Sequence, residues 1–279
     1  MKLADYPPQE PLSALGTAYH DCVIARGVGI EGREFAYGDD PYQRLTVYPA
    51  ASGAGDVLVV FHGGGWTSGY KEWMAFMAPA LQARGVSFVS AGYRLAPGHL
   101  FPTGFGDAAD AVAWVHRHAA EHGADPGRIF VGGHSAGGHY AALLAVTSRW
   151  RAERGLPRDV LRGCLPVSGT YRLGEGSGLA MRPRFLGPVA DPAVDRAASP
   201  LFVIEPGASP RWLLAHGSRD FPHLIAQAAQ MTEALAHAGV AVDTEVLADC
   251  DHFEASVACG DPAQSWVPRA AQWMRQVRD

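Results

Sequence analysis

The chain has 279 residues, of which 48% are hydrophobic and 18% charged, and its formal net charge is −5 at pH 7. This apolar content excludes a disordered chain and, at this length, predicts a single domain over residues 1–279. The acidic balance and the scattered arginines exclude a basic stripe along a nucleic-acid backbone, so we expect no nucleic-acid partner.

The N-terminal stretch "MKLADYPPQEPLSALG" contains no apolar run of the kind found in a signal peptide. Nowhere does the sequence contain about 18 consecutive apolar residues, the length of a membrane-spanning helix. We therefore expect a cytoplasmic protein with no membrane partner.

Six segments have the apolar, β-rich composition of buried strands. In chain order they are Val57–Phe61, Val86–Tyr93, "RIFVGGH", "RGCLPVSG", "RWLLAHGS" and "VDTEVLADC". The predicted helices that alternate with them are Lys71–Arg84, Gly106–His122, Ala136–Trp150, Pro222–His237 and Pro262–Val277. This alternation predicts an α/β fold, with a mostly parallel central sheet and helices on both faces. The Gly- and Pro-rich stretch 169–209 has no clean period and is predicted to form a small irregular cap over the strand ends.

The pentapeptide Gly133-His134-Ser135-Ala136-Gly137 fits the pattern G-x-S-x-G between a predicted strand and a predicted helix. In that context the serine occupies a strained turn that exposes its hydroxyl as a nucleophile, and the glycines prevent collisions across the turn. The alternative is a glycine-rich turn with an incidental serine, because the chain contains 33 glycines.

The run "HGGGW" (His62–Trp66) follows the first buried strand. Backbone N–H groups free of side chains can form an oxyanion hole, and we expect Gly64, Gly65 and Ala136 to supply them. A flexible turn or a phosphate-binding loop is the alternative, but the spacings of the dinucleotide and P-loop motifs are not met.

A serine nucleophile needs a base and an orienting carboxylate. After the fifth predicted strand "HGSRD" supplies Asp220, and after the sixth "DCDHFEA" supplies His252. All three residues then follow strands, at the sheet edge where α/β proteins bind ligands. Asp249 and Asp251 are alternative acids, but each lies so near His252 in sequence that it would have to fold back onto the ring.

Several other residues have predicted roles in binding or support. The aromatic residues expected to line a substrate pocket, unless they belong to the core, are Trp66, Tyr70, Tyr140, Phe185 and Phe253. Arg182 and Arg184 of the cap are candidates for binding a substrate carboxylate. His62 and His134 are expected to hold the neighbouring loops by hydrogen bonds.

Neither cysteines nor histidines form a metal-binding pattern. Cys22, Cys164, Cys250 and Cys259 lack metal-ligand spacing and are predicted to be free, mostly buried thiols. Near His116, His118 and His122 no carboxylate or cysteine completes a zinc site, so they are predicted to lie on a solvated helix face. We expect no metal ion and no other cofactor.

Six stretches of the chain carry a family resemblance. They are "FHGGGWTSGYKEWMAF", "SAGYRLAPG", "GHSAGGHYAALLA", "LRGCLPVSGTY", "HGSRD" and "DHFE". Together they resemble the arylformamidase (kynurenine formamidase) branch of the α/β-hydrolases, which is close to the hormone-sensitive-lipase-like carboxylesterases. The likeness runs from about Tyr37 to Trp273 and is weakest in the cap.

The resemblance implies a catalytic triad of Ser135, Asp220 and His252, with the oxyanion roles on Gly64, Gly65 and Ala136. Where the esterases commonly carry an acidic residue before the serine this chain has His134, which favours the formamidase branch.

The expected activity is that of a serine hydrolase that cleaves a small-molecule ester or an N-formyl or aryl amide through an acyl-enzyme. One alternative is a general short-acyl carboxylesterase. Another is a non-catalytic small-molecule binder on the same fold. The sequence leaves the oligomeric state open, a homodimer included.

Overall fold

The computed structural model describes residues 2–52 and 55–277. Its centre is an eight-stranded sheet in the order β1-β2-β4-β3-β5-β6-β7-β8. The strands are β1 (Arg33–Ala36), β2 (Arg44–Tyr48), β3 (Val57–Phe61), β4 (Ser87–Ala91), β5 (Ile129–His134), β6 (Leu161–Val167), β7 (Arg211–Gly217) and β8 (Val242–Leu247). The strands from β3 to β8 pair in parallel, whereas β1 and β2 join the sheet in antiparallel fashion.

All six predicted strands occur, and the predicted α/β class with a mostly parallel sheet is confirmed. The two antiparallel strands β1 and β2 were not predicted. Strand β1 has four residues, all exposed or half-buried, so it lacks the continuous apolar run by which the buried parallel strands are recognised.

Ten α-helices lie within the described residues. They are α1 (Ala14–Gly27), α2 (Ala78–Gln82), α3 (Thr103–His118), α4 (Ala136–Val146), α5 (Arg149–Glu153), α6 (Arg182–Leu186), α7 (Pro192–Ala197), α8 (Pro222–His237), α9 (His252–Ala258) and α10 (Trp266–Gln276). Short 3₁₀ helices occur at Leu3–Asp5, Lys71–Met77, Ala119–His122 and Pro200–Phe202.

Four predicted helices differ from the observed ones in form or extent. The helix predicted over Gly106–His122 begins earlier, at Thr103, and its last four residues form a 3₁₀ helix. The helix predicted from Lys71 begins as a 3₁₀ helix and becomes α-helical only at Ala78. The helix predicted over Ala136–Trp150 is interrupted because Thr147 adopts an extended backbone. Helix α10 begins at Trp266, four residues after the predicted start. Helices α1 and α9 were not predicted.

Both faces of the sheet are covered, as predicted. Side chains of β3 alternate between two cores: Val59 contributes to one, Leu58 to the other. The first core is completed by α3, α4 and α8, and the second by α1, α2, α9 and α10. Because α4 lies at the centre of the fold, all of its residues are buried.

The stretch 169–209, for which we predicted a cap and which we call the cap below, contains α6, α7 and one 3₁₀ helix joined by irregular segments. Nowhere in residues 2–52 and 55–277 is a helix both long and apolar enough to cross a membrane.

Two aspartates in the first half of α3 are paired with arginines. Asp107 is buried and binds Arg94 with both carboxylate oxygens. Asp110 is half-exposed and lies 2.7 Å from the guanidinium of Arg154.

Candidate active site

Ser135 occupies the turn between β5 and α4. Its backbone has φ 54° and ψ −115°, a conformation that costs free energy for any residue except glycine. A Cβ atom on Gly133 would collide with the backbone of Gly137, and one on Gly137 would collide with the carbonyl of Phe61. The glycines on either side of Ser135 therefore have steric roles, which favours the nucleophile turn over an incidental serine.

Asp220 and His252 form a buried pair beside this turn. Asp220 follows β7, and His252 is the first residue of α9, after β8. The Nδ1–H group of His252 donates to Oδ1 of Asp220 at 2.9 Å, and the N–H group of Phe221 donates to the same oxygen at 2.7 Å.

The charge state of this pair follows from its surroundings. Burial raises the pKa of Asp220, but the hydrogen bond and the charge of His252 outweigh burial and lower the pKa to about 2. The carboxylate is therefore ionised at neutral pH and accepts the Nδ1 proton. In the neutral imidazole this leaves the lone pair on Nε2, the atom that a general base uses.

The alternative acids Asp249 and Asp251 have other positions. Asp251 caps α9, where its carboxylate accepts hydrogen bonds from the N–H groups of Phe253 and Glu254 at 2.9 Å each. Asp249 is exposed on the turn before it. It is therefore Asp220 that orients His252.

The loop after β3 brings backbone N–H groups to the same place. Gly64 and Gly65 have positive φ values of 109° and 61°, and a Cβ atom on Gly64 would collide with the carbonyl of Ser68. In the described part of the chain, neither N–H group has an acceptor. Ala136, at the first position of α4, has a backbone N–H that the helix itself leaves unpaired.

One cavity of about 320 Å³ joins these groups. Its lining residues are Glu10, Pro11, Leu12, Ser13, Gly16, Tyr19, Gly64, Gly65, Ser68, Trp73, His134, Ser135, Met181, Arg184, Phe221, His252 and Phe253. The walls thus come from the N-terminal segment with α1, the loop after β3, the cap, and the loops after β5, β7 and β8.

Four of the five predicted pocket aromatics lie elsewhere; Phe253 is the one on the cavity wall. Trp66, Tyr140 and Phe185 are buried in the core, where the rings of Trp66 and Phe185 stack with centroids 4.2 Å apart. Tyr70 packs edge-on against Tyr6 at 5.0 Å. The side chains of Trp66, Tyr140 and Phe185 therefore fill the apolar core beneath the cavity instead of lining it.

The aromatic rings that do line the cavity, besides Phe253, belong to Tyr19, Trp73 and Phe221. Phe221 is 42% exposed and its ring centroid lies 4.8 Å from that of His252, so it borders the site at its open side. Phe221 directly follows Asp220 in the sequence, and its position next to a candidate site residue could have predicted its place in the cavity wall. No comparable signal marks Tyr19, because α1 carries exposed apolar residues such as Leu15.

The two arginines of the cap differ in availability. Arg182 is held by Asp195 at 2.8 Å and by the carbonyls of Gly187 and Val189, so it supports the cap. Arg184 lines the cavity, where its guanidinium lies 3.0 Å from the carboxylate of Glu10. The cavity wall therefore carries an ion pair rather than a free cation.

His62 and His134 hold loops in place, as predicted. The Nε2–H group of His134 donates to the carbonyl of His252 at 2.8 Å, and the Nδ1–H group of His62 donates to the carbonyl of Gly63 at 2.7 Å. Burial lowers the pKa of His134 to about 3, with the charge of His252 contributing, and that of His62 to about 4. Both rings are therefore neutral at physiological pH.

The cysteines and helix histidines complete the set of predicted residues. Three cysteines are buried and Cys22 is exposed; all four are free thiols, as predicted. The solvated face predicted for the helix histidines is wrong, since all three are half-buried and His118 stacks on Trp114 at 4.4 Å. No group of three or more His, Cys, Asp or Glu residues in the described ranges could hold a metal ion.

Known proteins resemble this chain in sequence and structure. A family model described as the alpha/beta hydrolase fold matches residues 58–255. Carboxylic ester hydrolase LipN of Mycobacterium tuberculosis is 33% identical over 222 residues, which are 73% of this chain and 58% of that protein. Esterase LipC of the same organism is 32% identical over 225 residues, 74% of this chain and 55% of that protein. The chain thus spans little more than half the length of these curated relatives.

Among solved structures, the thermophilic carboxylesterase EstE1, cloned from a metagenomic library, superposes with a TM-score of 0.77. The superposition covers 95% of this chain and 97% of EstE1 at 21% identity. At that identity the likeness establishes the fold.

Proposed function

The chain belongs to the α/β-hydrolase family, in its hormone-sensitive-lipase-like group, and from its site we propose that it is a serine hydrolase that cleaves small carboxylic esters through an acyl-enzyme. One observation carries the proposal: the strained Ser135 and His252, whose ring is bonded to Asp220, line one cavity with two glycines whose N–H groups have no acceptor.

In the first half of the proposed reaction, Nε2 of His252 removes the proton of Ser135, and the serine Oγ attacks the ester carbonyl. The negative charge that develops on the carbonyl oxygen is stabilised by the backbone N–H groups of Gly64, Gly65 and Ala136. His252 then gives its proton to the departing alcohol, which leaves an acyl group bound to Ser135.

In the second half, water replaces the alcohol. His252 removes a proton from the water, the oxygen attacks the acyl carbonyl, and the carboxylic acid leaves as the serine regains its proton. Asp220 stays ionised throughout and stabilises the imidazolium that forms in both halves. The reaction needs no cofactor.

A small ester is favoured over larger or amide substrates. The cavity of about 320 Å³ is at the lower end of the range for small-molecule sites. The names of the relatives LipN and LipC refer to ester hydrolysis. An amide also demands more of the site, because the amine leaves only when His252 protonates its nitrogen.

Hydrolysis of an N-formyl amide is the second candidate function, and His134 is the residue that favours it in the sequence. Because the ring of His134 holds the carbonyl of His252, a supporting role accounts for a histidine at that position. That role is compatible with ester and amide hydrolysis alike. The small cavity and the ester hydrolases among the relatives therefore support the choice of an ester.

A substrate panel tests the proposal. We expect kcat/KM to be higher for p-nitrophenyl acetate and butyrate than for N-formylkynurenine, and Ser135→Ala to lower kcat by about 10⁶ without unfolding the protein. Turnover of N-formylkynurenine alone would replace the esterase with the formamidase. No turnover of either class, together with no fluorophosphonate adduct on Ser135 in folded protein, would favour the non-catalytic binder.

A further inference from the structure

A buried histidine lies behind the proposed oxyanion loop. His139 is on α4, one turn after Ser135, and its backbone N–H donates to the Ser135 carbonyl at 3.0 Å. The side chain is fully buried and is not among the residues that line the cavity. It therefore has no direct access to a substrate.

Both ring nitrogens of His139 are bonded. The indole N–H of Trp66 donates to Nδ1 at 3.1 Å, and Nε2 lies 2.7 Å from the carbonyl oxygen of Ala198 in the cap. An indole N–H only donates and a carbonyl only accepts, so the ring is neutral with its proton on Nε2. Burial lowers the pKa of His139 to about 4, which keeps the ring in this form at physiological pH.

Trp66 is the strained end of the oxyanion loop. It directly follows Gly65 and has φ 65°, which is unfavourable for a bulky residue. Its ring stacks on Phe185, its carbonyl accepts from the N–H of Ala96 at 2.9 Å, and its indole N–H has His139 as acceptor. Without that acceptor, a buried N–H group would be left unpaired next to Gly65.

We propose that His139 is a positioning residue that, by accepting the Trp66 indole hydrogen bond, fixes the Gly64 and Gly65 N–H groups where the oxyanion develops. The inference rests on the proposed function. It also links two parts of the site, because the same ring anchors the cap through Ala198.

Two conservative substitutions separate the two sides of the ring. The Oδ1 atom of asparagine can replace Nδ1, so His139→Asn keeps an acceptor for Trp66 and loses the bond to Ala198. The Nε2 atom of glutamine can replace Nε2 of the ring, so His139→Gln keeps the bond to Ala198 and loses the acceptor. Trp66→Phe removes the donor and keeps an aromatic ring against Phe185.

The experiment measures kcat and KM for p-nitrophenyl acetate, the Ki of a trifluoromethyl ketone, and Tm. The Oγ atom of Ser135 adds reversibly to the carbonyl carbon of this ketone, its proton passes to His252, and the carbonyl oxygen becomes an oxyanion. Because loss of one oxyanion donor typically costs about 10²- to 10³-fold in kcat, displacement of the loop should cost His139→Gln and Trp66→Phe about tenfold or more. We expect nearly unchanged KM, a parallel rise in Ki, and a kcat for His139→Asn within about threefold of the wild type.

Trp150→Phe is the matched control. Its indole N–H is a buried donor to the carbonyls of Leu144 and Thr147, away from the cavity, so its loss should lower Tm and leave kcat and Ki unchanged. Equal losses of kcat in His139→Asn and His139→Gln, or an unchanged Ki where kcat falls, would overturn the inference. If the wild type turns over no ester, the proposed function fails and the inference fails with it.

Discussion

At the scale of single residues, Ser135 is held in a costly backbone conformation by contacts that leave no room for side chains around it. Its amide donates to the Val167 carbonyl at 3.0 Å, which ties the turn to β6. Gly133 and Gly137 pack directly against neighbouring backbone. The position of Ser135, the proposed nucleophile, thus depends on the small size of its neighbours.

Gly137→Ala tests this steric role. The added methyl group would collide with the Phe61 carbonyl, so we expect a loss of about 1–3 kcal/mol in the free energy of unfolding, with a large fall in kcat. Urea denaturation and ester hydrolysis measure the two effects. Gly106→Ala is the control, because its Cβ would meet only Arg154 at 4.0 Å and alanine is the better helix former. If Gly137→Ala had the stability and the activity of the wild type, the steric role of Gly137 would be refuted.

The acid that orients His252 is tested by a pair of substitutions. Asp220→Asn removes the ionised acceptor and should lower kcat by about 10⁴, as loss of the orienting carboxylate does in other serine hydrolases. Asp251→Asn keeps a side-chain oxygen that can cap α9 and should keep kcat within a few fold. Steady-state kinetics with p-nitrophenyl acetate measure both variants. If Asp251→Asn were as inactive as Asp220→Asn, the assignment of the acid would be wrong.

At the scale of elements, the N-terminal segment and the cap meet across the cavity. Residues 10–13 and α1 form part of the cavity wall, and the cap contributes Met181 and Arg184 to it. The ion pair between Glu10 and Arg184 joins the two. Because Arg184 is 56% exposed, the pair stabilises the closed wall only modestly.

Arg184→Gln should therefore affect substrate binding more than chemistry. We expect KM for p-nitrophenyl butyrate to rise by about two- to fivefold with kcat unchanged, because a weak surface pair contributes at most about 1 kcal/mol. The KM of the wild type should also rise in about 1 M NaCl, where surface charges are screened, and that of the variant should not. Arg149→Gln breaks an exposed pair with Glu153 on α5 and serves as the control. A fall in kcat with constant KM would contradict this role.

At the scale of the whole molecule, the parallel strands bring the site together. Strands β3, β5, β7 and β8 all end at one edge of the sheet, and each is followed by a loop that carries part of the proposed machinery. Three of the buried histidines lie next to these loops: His62 follows β3, His134 is the last residue of β5, and His139 lies on α4. The stability of the fold and the integrity of the site are thus coupled through neutral imidazoles.

This coupling predicts how stability depends on pH. Burial lowers the pKa of His62 and His139 from 6.5 to about 4 and, with the charge of His252 contributing, that of His134 to about 3. Below pH 6.5 the unfolded chain binds protons that the folded chain does not, so stability should be complete above pH 6.5 and fall as the pH is lowered toward 4.

These three groups contribute up to about 4 kcal/mol per pH unit to the slope, and burial lowers the pKa of His122 and His223 in the same direction. Urea denaturation between pH 7 and pH 4.5 measures it, a window above the pKa of Asp220 at about 2. His139→Gln removes one of these titrating groups and should reduce the slope by about 1.4 kcal/mol per pH unit. A stability that is constant over this window would show that the buried histidines titrate normally.

The sequence by itself determined the α/β class, the six parallel strands and the candidate triad, because these depend on local patterns. A continuous apolar run identifies a strand buried on both faces, and a glycine run or G-x-S-x-G directly after it identifies a turn. Asp220 and His252 were found in the same way, since each follows a predicted strand.

Only the tertiary structure decided which side chains face the cavity and which face the core. Trp66 and Tyr140 lie near the proposed catalytic loops in sequence and Phe185 lies on α6, but all three pack inward. Tyr19, by contrast, reaches the cavity from a helix that has no clear apolar face. His139 gained its place from one partner 73 residues before it and another 59 residues after it. The physical reason is that the direction of a side chain in a loop is set by packing against residues distant in sequence. The local hydrophobic periodicity of the sequence contains no information about those contacts.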